Sequence, residues 1–164
     1  MEWTTPGCAL SRHPHTEAGM PVTPPDLAAV IAAIDEAGGR DFAAAYAGVE
    51  VDQAGVRAIV HRVPAADFDA AVRGLTPAGV CVVVRDAAHS RATLAALQER
   101  ITADLAEWEG RGVRIETVGA RHDGSGVEVG ARDPERARAE LAARYGADAP
   151  IVVVRSGPVV PLPG

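Results

Sequence analysis

The order strand, strand, helix, strand occurs twice along this chain, and that repetition limits the fold more than any single motif. From Tyr46 the pattern has a period of two, with Val49 and Val51 alternating against Glu50 and Asp52. A turn at Gln53-Ala54-Gly55 leads into a second apolar run over residues 56–63, which completes a β-hairpin. Pro64 then opens a helix carrying Phe68, Ala71, Val72 and Leu75 on one stripe. The glycines from Gly74 to Gly79 close it, and residues 80–84, Val-Cys-Val-Val-Val, read as a strand that is apolar on both faces. The same order returns in residues 113–118, the turn His122-Asp123-Gly124-Ser125-Gly126, residues 127–131, a helix opened by Asp133-Pro134, and residues 151–154. Val-Val-Arg closes both third strands, at Arg85 and at Arg155. A repeat at about 70 residues is too long for a solenoid and suits a duplicated subdomain. The sequence therefore predicts an α+β fold of duplicated ββαβ units, 46–85 and 113–155. Each would be a three-stranded sheet of order 2-1-3 covered by one helix.

Two further helices frame these units. Thr23-Pro24-Pro25-Asp26 reads as a helix start with Thr23 as cap, and Leu27, Val30, Ile31 and Ile34 share a face up to Gly38-Gly39, giving a helix over 23–39. The longest predicted helix, residues 90–109, starts at Ser90 and carries Leu94, Leu97, Ile101, Leu105 and Trp108 on one stripe. It is expected to join the units, with Leu97 and Ile101 in a shared core. A coiled-coil homodimer through this stripe is the competing reading. Residues 1–22 hold Pro6, Gly7, Pro14, Gly19 and Pro21 among small polar residues, a composition expected to give a disordered leader. Domain 23–155 is followed by a Pro-rich tail, 156–164, expected to be flexible.

Composition narrows the function. Only 4% of the residues are aromatic, which argues against stacked aromatic platforms. A net charge of −6 without a single lysine argues against nucleic acid or anionic lipid as a partner. Cys8 and Cys81 lie in dissimilar surroundings and are expected to be unpaired thiols. The first residues lack the basic and apolar regions of a signal peptide, and no window reaches the ~18 apolar residues of a spanning helix. A cytoplasmic location is expected.

Three groupings hold chemically active residue types: Cys8 with His13 and His15, His89-Ser90, and His122-Asp123 with Ser125. The first lacks the further ligands that four-coordinate zinc needs. In the second, Ser90 is better read as a helix cap than as a nucleophile. The third has the residue types of a hydrolase triad, but adjacent side chains in a hairpin point apart, and Asp-Gly and Ser-Gly are what a tight turn requires. Gly126 is followed by a strand rather than a helix start, so the nearby glycines do not make a phosphate cradle. No catalytic residue, cofactor or metal site is expected.

Residues from about Asp41 to Val154 resemble the pro-regions of bacterial chymotrypsin-like serine proteases, of the streptogrisin and alpha-lytic protease type. The likeness is carried by Tyr46-Ala47-Gly48-Val49-Glu50-Val51-Asp52, by residues 90–97, Ser-Arg-Ala-Thr-Leu-Ala-Ala-Leu, and by Gly126-Val127-Glu128-Val129-Gly130. The resemblance implies two small α/β lobes and a role as folding assistant or inhibitor of a protease, with the C-terminal end presented to the protease cleft. The expected function is a non-catalytic binding or regulatory module. Its interaction surface would be the last sheet edge together with Ser156, Pro158, Val159, Val160, Pro161 and Leu162. The alternatives are a small hydrolase or transferase using His122 or His61 with nearby acids, and a structural homodimer.

Overall fold

A computed structural model describes residues 1–157, and the chain divides into two compact units. The architecture is α+β, with five α-helices and three small sheets among the described residues.

The first unit comprises Met1–Ala92 together with His122–Gly124. Its elements in order are β1 (Trp3–Thr4), a short 3-10 turn (Pro6–Ala9), β2 (His15–Glu17), β3 (Met20–Val22), α1 (Pro25–Asp41), β4 (Tyr46–Asp52), β5 (Arg57–Arg62), α2 (Ala66–Leu75) and β6 (Cys81–Asp86). The sheet order is β1-β6-β5-β4; β4 and β5 form the expected antiparallel hairpin, and β6 returns parallel to β5. The predicted order 2-1-3 is corrected: the second hairpin strand is central. The reason lies in β5 itself, where Ala58, Ile59, Val60, His61 and Arg62 are all buried, so that both faces and both edges of the strand need cover. Leu27, Val30 and Ile34 of α1 and Phe68 and Val72 of α2 close the core over Val60, Val82 and Val84.

The leader is also corrected, since residues 1–22 are structured. β1 pairs antiparallel with β6. The buried Thr5 hydroxyl donates to the Val80 carbonyl at 2.9 Å and accepts from the Val82 amide at 2.9 Å. Cys8 and Cys81 form a disulfide rather than standing as free thiols. Strand pairing and a covalent link hold this segment, and neither registers in a count of apolar residues.

Helix α1 differs at both ends from the sequence reading. Its cap position is Pro24 rather than Thr23, and Asp26 accepts from the Leu27 amide and from Arg12. It runs through Gly38-Gly39 to Asp41. Gly38 is there for contact, not for termination: a Cβ at that position would overlap the Tyr46 ring. Arg62, 1% exposed, is buried with its charge answered by Asp69 at 2.7 Å and by Asp86.

Among the described residues, the second unit holds Thr93–Arg121 and 125–157. Its elements are α3 (Arg91–Ala103), whose first two residues, Arg91 and Ala92, belong to the first unit, α4 (Leu105–Gly110), β7 (Ile115–Ala120), β8 (Val127–Ala131), α5 (Pro134–Tyr145) and β9 (Ile151–Arg155). The predicted continuous helix 90–109 is interrupted at Asp104, whose carboxylate accepts the Tyr145 hydroxyl at 2.7 Å while Tyr145 accepts from the Trp108 indole at 3.2 Å. The sheet order is β7-β8-β9, again with the second strand central and the third parallel to it. Leu94, Leu97, Ile101 and Trp108 pack with Val127, Val129 and Leu141 in a core of this unit alone, so the shared core expected for Leu97 and Ile101 is corrected. Asp133 caps α5 by accepting from the Arg136 amide, as its place before Pro134 predicts.

Candidate functional site

Glu50 is the centre of a histidine-carboxylate cluster that brings together His61 and His122, the two histidines singled out in the sequence, around an acid that the sequence reading did not name for this role. His61 Nε2 lies 3.1 Å from Glu50 Oε1, and His122 Nε2 lies 3.0 Å from Oε2. The two imidazoles stand edge to face with ring centres 6.1 Å apart. An ionised carboxylate only accepts, so each ring presents an Nε2–H to it. His61 is buried, at 7% exposure, whereas the His122 side chain is 62% exposed. These bonds, His61 first and His122 next, outweigh partial burial and hold the Glu50 carboxyl below the usual carboxylate range.

A β-bulge makes this cluster possible. In β4–β5, Tyr46 pairs with Arg62, but the register then shifts so that Gly48 pairs with His61 and Glu50 with Ile59. Without the shift, Glu50 would pair with Ala58 and lie on the opposite face from His61. Residues 122–124 reach this face because Gly48 has no side chain: a Cβ there would collide with the His122 carbonyl oxygen. Gly124, at φ +72°, is equally hemmed in by the His89 carbonyl, Ala87 and Ala47, and its own carbonyl accepts from the His89 amide at 3.1 Å. The segment is thus a tight turn, as its Asp-Gly sequence predicts, and it also carries a histidine to a carboxylate that sequence spacing alone does not connect with it.

A second polar group lies on the same unit. Tyr46 donates to Asp35 Oδ1 at 2.7 Å, Arg91 donates to the same oxygen at 2.9 Å, and the Arg91 guanidinium sits 4.6 Å from the Tyr46 ring centre. The Tyr46 hydroxyl and then Arg91 lower Asp35, while burial and then the Asp35 bond push Tyr46 upward. This group joins α1 to β4.

The expected grouping of Cys8 with His13 and His15 comes apart. Cys8 is in the disulfide and no longer offers a thiolate beside His13 and His15. Among the described residues, no group of three or more His, Cys, Asp or Glu is placed to hold a metal ion. No helix among them is long and apolar enough to cross a membrane. Of the expected binding residues, Ser156 follows β9 and its amide donates to the Ala131 carbonyl at 3.0 Å; Pro158, Val159, Val160, Pro161 and Leu162 lie outside the described residues.

The last sheet edge has a definable polarity. Because the Ser156 amide points at β8, alternation turns the amides of Ile151, Val153 and Arg155 the other way. The Val153 carbonyl agrees, since it accepts from Arg138 Nη2 at 3.5 Å rather than from β8. Compared with known protein families, with curated proteins and with solved structures, the chain matches none.

Proposed function

We propose that this chain is a non-catalytic binding or regulatory module, built from a duplicated ββαβ unit, that takes an extended segment of a partner protein along the open side of β9 and through the tail that follows. The observation carrying this reading is the position of β9, which ladders with β8 alone among the described residues and turns the Val153 and Arg155 amides outward. An unpaired strand edge supplies main-chain affinity without special side chains. The duplication is supported by the equivalent bulges, between Tyr46 and Gly48 and between Ile115 and Thr117, each one step into the hairpin.

The resemblance to protease pro-regions nominates a bacterial chymotrypsin-like serine protease as the partner class, with this chain acting as inhibitor or folding assistant. The Cys8–Cys81 disulfide favours an oxidising compartment over the cytoplasm for such an encounter. The test is a titration of such a protease with a small chromogenic substrate, using the full chain and a chain ending at Arg155. The full chain should inhibit at or below ~100 μM, equivalent to about −5.5 kcal/mol, and the shortened chain should inhibit less. Equal inhibition rejects the tail, and no inhibition by either rejects this partner class.

One observation favours a second reading, a small hydrolase or transferase: Glu50 orients both His61 and His122. Ester turnover that is abolished by Glu50→Gln would support it. Turnover that is absent, or unchanged in that variant, disposes of it.

A further inference from the structure

The groove between α5 and β9 gives the partner segment a chemistry. A cavity of about 170 Å³ opens there, lined by Arg138, Leu141 and Ala142 from α5 and by Ala149, Ile151 and Val153 from the β9 side. At ≈30 Å³ per water this is nearly six water volumes, room for one branched side chain. No β8 residue lines the cavity, so it lies on the open side of β9, where an added strand would run. Arg138 stands at its rim, exposed, and makes no ion pair among the described residues. Its bond to the Val153 carbonyl, at 3.5 Å, is at the outer limit of hydrogen-bond length and is readily exchanged for a better acceptor. An apolar recess, outward-facing amides and an unmatched cation therefore converge on one strand edge.

We propose that this groove takes a branched aliphatic side chain of an extended peptide laid along β9, with an acidic group of the same peptide on Arg138. This rests on the reading of β9 as a binding edge, and it adds the side-chain class that edge selects. Main-chain pairing would supply affinity, and the recess and the guanidinium would supply selectivity.

A positional library of hexapeptides on a Thr/Ser background, selected on the full chain, tests the proposal. Leu, Ile or Val should be enriched at one position, with Asp or Glu within two residues of it. Arg138→Glu, at an exposed position, should convert the acidic preference to a basic one and weaken the selected peptides about five-fold, the scale of an exposed ion pair. Ala142→Trp should fill the recess and weaken them at least about ten-fold, with Ala142→Leu as the milder variant should the larger one unfold. Arg155→Pro removes an outward amide without touching the recess, and should weaken all peptides alike while leaving the side-chain preference intact. No aliphatic preference, or one that survives both groove substitutions, overturns the proposal. Effects from the groove variants with none from Arg155→Pro would keep the groove and reject the strand edge.

Discussion

Cys8 and Cys81, 73 residues apart in sequence, are joined by a disulfide that fastens the 3-10 turn to the first residue of β6. Closing a loop of that length removes freedom mainly from the unfolded chain, which for long loops is worth roughly 2–4 kcal/mol. Denaturant unfolding of Cys8→Ser/Cys81→Ser should show a loss of that order, and so should wild type under strong reductant. Removing residues 1–22 should cost more than about 2 kcal/mol, because the Val80 carbonyl and Val82 amide lose Thr5 as well. A trimmed chain as stable as wild type would mean that the leader is not part of the fold.

Two helix glycines should respond in opposite directions. A methyl group added at Gly74 in α2 would meet no atom within 4 Å, so Gly74→Ala should stabilise by up to about 1 kcal/mol through helix propensity. Gly38 in α1 faces the Tyr46 ring, so Gly38→Ala should destabilise despite the same propensity gain, by about 1–3 kcal/mol of overpacking. Thermal melts of the two variants make the comparison.

How much of the fold is legible in the sequence depends on the kind of interaction. The hairpins, the Asp133 cap and the turn at Gly124 follow from local period and backbone freedom, which neighbouring residues determine. Gly38 reads as a helix end because its role is set by Tyr46, eight residues on, and a glycine that admits a ring looks the same in sequence as one that ends a helix. The partnership of Glu50 with His61 depends on a one-residue bulge that no residue type announces, and His122 joins them from 72 positions away. The central place of β5 and β8 is legible in principle, since a strand buried on both faces seldom sits at an edge, but the hairpin rule alone does not rank the two strands.

Glu50 should leave a signature in the pH dependence of stability. Its folded-state carboxyl is lowered by His61 and then His122, so its contribution is present above the unfolded value, about 4.3, and is lost as pH falls through the folded value. The side chain is 38% exposed, so after solvent screening the effect should be at most about 1 kcal/mol. Urea unfolding of wild type and Glu50→Gln between pH 6 and pH 3 should give curves that separate above pH 5 and draw together as the pH falls. Parallel curves would mean that the histidine contacts do not persist in solution.

Ile101→Ala should cost about 2–5 kcal/mol, as a fully buried large-to-small change, and its effect should register in the second core, not in the first. Native-state hydrogen exchange is the measure: amides of β8 and α5 should lose protection, while those of β5 and α1 retain it. Equal loss in both sets would indicate one cooperative core.

The proposed role of β9 as a binding edge is tested most directly by amide exchange along the strand. With a bacterial chymotrypsin-like protease, inactivated at its serine, added at saturating concentration, the Val153 and Arg155 amides should exchange at least about ten-fold more slowly, because a partner strand now accepts from them. Val152 and Val154, which alternation turns toward β8, should change little. Unchanged exchange at Val153 and Arg155 in the presence of that protease would contradict the account of β9 as the strand this protein offers to its partner.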